Sequence, residues 1–499
     1  MPQRFRSTLV VSCVVALVLI ATARTQAAAQ EGVQRHGVRL HDDRLALTLF
    51  AEDPQIVTPI GMAIDSEDQV FVLESHTHHP APDYEGPEGD RVKIFRDVDD
   101  DGRADEVRVF AEGIHQGMNL AFSPDGVLYV VCSRQVLKLH DTDGDGVCDQ
   151  QHSVLRLVTK ERYAHSCLLG ITFDNDGWMY VSRGNTGSHG YRFEGSDDSS
   201  VSGYGDGGSV VRCRPDGSQI EPYATGFWNP FDLKFDSHGR LLLVDNDPDA
   251  RGPNRLVQVV RGGDYGFKAM YGGSGTHPFQ GWDGSLPGTL PMISGLGEAP
   301  SGVIDCRRSS LPVSYADSIL ATIWNENTIE RVELGVDGAT LTSRSRTVFM
   351  SGGNDFRPVA IDCDSRGNLF VTDWVLVDYP NHGRGRIWRV ATDAESETLS
   401  PRKRFASALA DPIAKRLRVI ERLSADRLVT AASQGDPIER HTATQRLAEE
   451  SMKSTRQAMT KDHRASVRLA GLLATRLAEP EHPNSIRTFL SDPDPQVRR

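Results

Sequence analysis

No CxxC and no CxxCH occurs anywhere in the sequence, so neither a zinc ribbon nor a covalently attached c-type haem lies within these 499 residues. Positive charge is in deficit too: 55 Lys and Arg against 68 Asp and Glu leave a net charge of -13. A polyanion is bound by a basic surface that displaces its counterions, so nucleic acid is excluded as a partner. Long apolar runs are missing with one exception, Leu9 to Ala21, which follows Arg4 and Arg6 and leads to Ala27-Ala28-Ala29 before Gln30. It is shorter than the roughly 20 apolar residues a bilayer needs and reads as a cleaved signal peptide over residues 1–29. An uncleaved anchor, or lipidation at Cys13 in Val10-Val11-Ser12-Cys13, are the alternatives. The expected mature chain is exported, periplasmic or extracellular, with no membrane span, in a compartment where disulfides are permitted.

What the sequence has in quantity is one repeated unit. A short apolar strand, a tight polar turn and a second strand recur as GMAIDSEDQVFVLES from Gly61, NLAFSPDGVLYVVCS from Asn119, GITFDNDGWMYVSRG from Gly170, DLKFDSHGRLLLVDN from Asp232 and VAIDCDSRGNLFVTD from Val359. A degenerate copy starts at Ser301. Each is followed by a third strand, as in RVKIF at Arg91 or RIWRV at Arg386, and several by a fourth, as in EVRVFAEG at Glu106. Four strands repeated around an axis make a propeller blade, and six copies make six blades. The last copy lacks a fourth strand, while LALTLFAED from Leu45 repeats the VRVFAEG pattern. The fold expected is an all-β six-bladed β-propeller over residues 30–391, with strand 45–50 closing the last blade. After a linker over 392–410, residues 411–499 turn to Ala, Leu, Arg and Glu at helical periodicity, with DPIER, DHRASVR and DPQVR recurring. They are expected to form a C-terminal α-helical, HEAT-like repeat segment, incomplete at Arg499. Cys306 and Cys363 each follow an Asp at the end of an innermost strand in adjacent blades and are expected to pair.

Loops joining strands one and two are minimal, whereas the long loops rich in His, Asn, Arg and Trp all belong to the opposite face. Function is expected there, over the central channel. Six histidines could gather on that face: His76, His78, His79, His115, His165 and His189. They read as metal ligands, acid/base groups or plain polar loops, and His165 stands out because it leads into an innermost strand. On the far face two acidic loops carry Asp97, Asp99, Asp101 and Asp105, and Asp141, Asp143, Asp145 and Asp149. Oxygen donors at alternate positions before a Gly suit a structural calcium ion, although Arg108 and His152 stand where an EF-hand has its bidentate Glu. Plain Asx-turns are the alternative.

The blade repeat, together with GFWNPFDLKFDSHGRLLLVDNDPDARGPNRLVQVVRGGDYGF from Gly226, resembles the glucose/sorbosone dehydrogenase family of soluble propellers. SHTHHPAPDYEGPEGD with DVDDDGRADEVRVFAEGI resembles more closely the planctomycete-type membrane-bound dehydrogenase domain, in which HEAT repeats and often a haem segment follow. The resemblance implies a pyrroloquinoline quinone (PQQ) cofactor, His165 as the catalytic base, and Gln116, Asn229, Trp228 and Trp324 at the cofactor. It also implies that the carbonyls of Asp247 and Pro248 approach a calcium ion beside the quinone. Two positions depart from the family pattern: Trp228 stands where it has Arg, and Trp324 where it has Lys. Both replaced cations would face the quinone's negative charge. The function implied is oxidation of a sugar or polyol, with electrons passed to a cytochrome c-type acceptor or a downstream haem module. Two alternatives stay open: a non-catalytic carbohydrate- or protein-binding propeller with Trp228, Trp324 and Trp374 as stacking platforms, and a calcium-dependent, lactonase-like hydrolase.

Overall fold

The structure, a computed structural model, describes residues 36–162, 165–393, 396–401 and 411–499. The expected signal peptide and part of the expected linker lie outside the described residues.

Six sheets surround a common axis, and the chain is a six-bladed β-propeller. The innermost strands are Pro59–Ile64, Gly117–Phe122, Leu168–Phe173, Asn229–Phe235, Pro300–Asp305 and Pro358–Cys363, each touching the next and the last touching the first. Five of the six are buried at every residue, as apolar strands covered on both faces must be. Each buried Val, Leu or Ile there contributes roughly 1.5–3 kcal/mol, so the ring of inner strands carries much of the core.

The repeated turn has a local cause. The leading Asp of four strand-one-to-two turns bends back on its own backbone: Asp65, Asp174, Asp236 and Asp364 each accept from a backbone N–H four residues on, at 2.8–2.9 Å. These are Asx-type turns, which set the hairpin before any tertiary contact forms. The strand Leu45–Glu52 pairs antiparallel with Arg386–Thr392 and completes the sixth sheet, tying the two ends of the ring.

Other segments cap outer edges in ways the repeat does not announce. The long loop of the third blade forms a hairpin, Gly190–Glu194 with Ser200–Tyr204, whose first strand pairs with Gln150–Thr159 of the second blade. Arg39–Leu40 pairs with the outer strand Thr340–Ser351 of the fifth. The expected disulfide is not formed: all six cysteines after Cys13 are free, and the Cys363 thiol is turned to the Arg308 carbonyl at 3.3 Å.

Helices follow the propeller: α1 (Pro412–Ile420), α2 (Ala425–Gln434), α3 (Pro437–Ala448), α4 (Lys453–Met459), α5 (Ala465–Ala478) and α6 (Pro495–Arg498). Their apolar faces form a core of their own around Leu428, Leu447, Val467 and Ala474, while Ile413 and Ile438 enter the propeller core. Asp436 fastens the two together. Its carboxylate caps α3 and also accepts from the Ala339 N–H (2.9 Å) and the Thr340 hydroxyl (2.6 Å) of the fifth blade. Gly338, at φ +61°, passes so close to that carboxylate that a Cβ would overlap it.

Candidate functional site at the channel mouth

Which face carries the acidic loops is fixed by ion pairs. Arg366, in a strand-one-to-two turn, binds Asp100, and Ser365 beside it binds Asp68 in the equivalent turn of the first blade. The acidic loops therefore share the face of the short turns, and the long loops open on the other.

On that other face His165 enters the third blade and meets the fourth. Its Nδ1 lies 3.0 Å from the amide nitrogen of Asn229, and its ring packs against Trp228 with centroids 5.8 Å apart. The local chain is built to hold this contact. Asn185 binds the Trp228 carbonyl through its backbone N–H (2.9 Å), and Ser166 Oγ donates to the Asn185 carbonyl (2.5 Å). Gly184 is required there, since a Cβ would overlap the His165 carbonyl oxygen.

Beneath Asn229 lies a buried ion pair. Asp245 accepts from the backbone N–H of Asn229 (2.8 Å) and of Trp228 (3.1 Å), and from Arg255 at 2.8 and 3.0 Å. Arg255 stacks 3.5 Å above Trp282 and donates to the carbonyls of Tyr265, Trp282 and Gly226. The segment around Gly226, Tyr265 and Trp282 is thus folded onto one guanidinium. Asn229 is fully buried, and its amide oxygen has no partner. Burial lowers the His165 pKa, opposed by the Asp249 carboxylate, so its ring is neutral at pH 7.

The same device recurs in the sixth blade. Asp373 accepts from the Arg357 N–H (2.8 Å) and pairs with Arg386 (2.9 Å), which makes Arg357 the counterpart of Asn229. Arg357 is 4% exposed, and its guanidinium lies 5.5 Å from the Trp324 ring centroid and keeps an Nε without partner. Trp324 stacks in turn on Tyr379, with centroids 5.0 Å apart and planes at 14°. Asp249 lies near enough to both His165 and Tyr379 to act on each, which joins the two halves of the mouth.

Of the residues singled out from sequence, His165, Trp228 and Asn229 touch one another. Trp324 lies across the mouth with Arg357, and Trp374 packs edge-on against His382 rather than presenting a bare face. Gln116 is exposed, with its N–H bonded to Thr77 Oγ1 at 2.7 Å. Asp247 accepts from Asp249 N–H (3.0 Å), and the Pro248 carbonyl already accepts from Ala250 N–H (2.6 Å). His76 is structural, bonded to Tyr84 (2.5 Å) and Glu74 (3.1 Å), and His189 pairs with Glu161 (2.8 Å). His115 is exposed. Arg357 was missed because it stands where the fourth blade has Asn. Aligning DSHG with DSRG places it in the register of Asn229, and that was the available signal.

In the acidic loops, ligand oxygens of Asp97, Asp99 and Asp105, and of Asp141, Asp143 and Asp149, lie within 4.8 Å of one another. Asp101 and Asp145 fall outside these groups and accept instead from Arg103 N–H (2.9 Å) and Val147 N–H (2.8 Å). The left-handed Gly102 and Gly146 follow, as the sharp turn of such a loop requires. Among the described residues no comparable group of three His, Cys, Asp or Glu lies at the channel mouth. A cleft of about 510 Å³ lies away from the mouth, between Arg240, Leu334 and helix α1, where the helical segment leaves the propeller.

Fold and site together define a propeller with a histidine-bearing mouth. The chain belongs to the family described as a domain of unknown function, DUF7133, whose profile matches residues 37–378. No curated protein matches the sequence. Among solved structures it is similar to an oxidoreductase described as a glucose dehydrogenase from Thermus thermophilus, at 18% identity and a TM-score of 0.50, over 70% of this chain and all of that one. The apo form of the soluble aldose sugar dehydrogenase of Escherichia coli matches at 13% and 0.50, over 70% of this chain and 99% of that one. A calcium structure of a Trichoderma reesei carbohydrate-active enzyme of family AA12 matches at 13% and 0.50, over 71% and 97%. At such identities the shared property is the fold.

Proposed function

We propose that this chain is an exported, quinone-dependent oxidoreductase that oxidises a hydroxyl of a sugar or polyol. The carrying observation is the contact of His165 with Asn229 at 3.0 Å at the channel mouth. A base for an alcohol must be neutral at working pH and held in one orientation, and both conditions apply to His165. The two ends of the Asn229 amide are interchangeable in shape. With its oxygen accepting from Nδ1–H, the lone pair resides on Nε2, which takes the proton of the substrate hydroxyl. Asp245 and Arg255 act one step removed by fixing the backbone of Asn229.

The residues present suit a planar, anionic quinone. Arg357 offers a buried guanidinium with an unpartnered Nε, which answers the loss of cations at Trp228 and Trp324. Asn229 offers the end of its amide that does not bond His165, and Trp228 and Trp324 offer flat walls. Gln116, Asp247 and Pro248 complete the proposed set, with the Pro248 carbonyl the weakest member because it already holds one hydrogen bond. When bound, PQQ supplies a two-electron acceptor for the hydride. The names of the solved relatives agree with a sugar substrate. We place the next acceptor in a cytochrome c-type partner or a downstream haem module, and read the helices after Asp411 as HEAT-like repeats. The acidic loops are assigned to structural calcium through Asp97, Asp99 and Asp105, and through Asp141, Asp143 and Asp149, with Asp101 and Asp145 in supporting positions.

The test is absorbance of the purified chain on adding PQQ with Ca²⁺, followed by turnover of aldoses and polyols with an artificial electron acceptor. A second reading, carbohydrate binding without chemistry, draws on Tyr379, which lies 61% exposed on top of Trp324. Sugar binding with no quinone uptake would select it.

A further inference from the structure

His78 belongs to a loop that is anchored on both sides. Before it, the buried carboxylate of Asp90 accepts from the backbone N–H of His76 (2.6 Å) and of Thr77 (2.8 Å) and from the Thr77 hydroxyl (3.0 Å). The other oxygen of Asp90 accepts from Gly117 N–H at 2.7 Å, which locks the loop to the second blade. After it, His79 exchanges two bonds with Asn381: its N–H donates to Oδ1 and its carbonyl accepts from the Asn381 N–H, both at 3.0 Å. Asn381 also donates to the Ser75 carbonyl at 2.9 Å. Polar groups on either side of His78 are therefore satisfied within the protein.

His78 itself is the exception. Its Nδ1 is buried and has no hydrogen-bond partner, and the ring lies close enough to His165 for a charge on His165 to act on it. Burial holds its pKa down to about 4, so it is a neutral donor or acceptor at pH 7. A buried polar atom without partner is unfavourable, and a loop fixed by Asp90 and Asn381 gives it no room to turn away. Such an atom calls for an explanation, and a ligand bound at the mouth would complete it.

We propose that His78 is a substrate-binding residue whose Nδ1 hydrogen-bonds a second hydroxyl of the molecule that His165 deprotonates, so that the site selects polyhydroxylated substrates over simple alcohols. The proposal rests on the reading of the mouth as the site of hydroxyl oxidation. It assigns the two histidines different work: His165 moves a proton, while His78 orients and selects.

Equilibrium binding of sorbitol to the full chain, followed by calorimetry and by tryptophan fluorescence because Trp228 covers His165, tests the role of His78. The comparison is between wild type and the His78 variants, since His165 also meets a substrate hydroxyl. His78→Leu should weaken binding about 10-fold, as a lost hydrogen bond of ~1.4 kcal/mol does, and His78→Asn should recover most of it. Undiminished binding by His78→Leu overturns the assignment of His78 and leaves His165 untouched. No sorbitol or glucose binding by wild type overturns the substrate reading and this proposal together. Should His78→Leu fail to fold, the nitrogen-15 signal of His78 Nδ1 in the wild type decides: it shifts on adding sorbitol if the bond forms, and an unmoved signal overturns it.

Discussion

At the scale of single residues, the mouth depends on buried charges that are paired rather than exposed ones. Asp245 and Arg255 are both fully buried, and neither is tolerable alone. Asp245→Ala leaves the Arg255 guanidinium unpaired beneath Asn229, and urea unfolding should register a loss of about 3–5 kcal/mol. A pH dependence follows from His78 and His382, each held by burial to about 4. Unfolded, a histidine titrates near 6.5, so between pH 4 and 6.5 the unfolded chain binds protons that the folded one refuses. Stability therefore rises with pH across that window. Acidification from pH 6.5 to 4 should cost at most roughly 3 kcal/mol per histidine, and nothing further from these groups below 4. Urea melts at pH 7 and 4.5 measure this, and His382→Asn should remove part of the difference.

At the scale of elements, the blades were legible because four of the six carry the same turn. Asp65, Asp174, Asp236 and Asp364 announce a hairpin by bonding their own backbone, and the same Asp is visible in the sequence. Arg39–Leu40 and the Gly190–Glu194 hairpin were not legible, since pairing with another blade's edge leaves no local pattern. Arg357 escaped for a related reason: its role comes from its register beside Trp324, not from a motif. The helical segment is joined at Asp436, whose cap and two bonds to the fifth blade would vanish in Asp436→Ala. About 1–3 kcal/mol should be lost, with proteolysis starting in the helices before the propeller. For the acidic loops, calcium stabilises the folded state by mass action, so excess EDTA should lower Tm without unfolding the propeller cores. An unchanged Tm in a preparation first shown to hold calcium would mark the loops as Asx-turns.

At the scale of the whole molecule, a closed ring of six blades gathers loops distant in sequence over one channel. Its last sheet is closed by the strand Leu45–Glu52. The ring brings residue 165 against residue 229, and Arg357 across from both, while no stretch of sequence contains more than a fraction of the mouth. The central claim is that His165, neutral and oriented by Asn229, takes the proton of a substrate hydroxyl. The most direct measurement is turnover of aldoses and polyols with PQQ, Ca²⁺ and an artificial electron acceptor, comparing wild type with His165→Ala at matched folding. A positioned base contributes about 10²-fold or more, so the account predicts a fall in kcat of at least that size with ligand binding nearly intact. Equal turnover by the two proteins would contradict it.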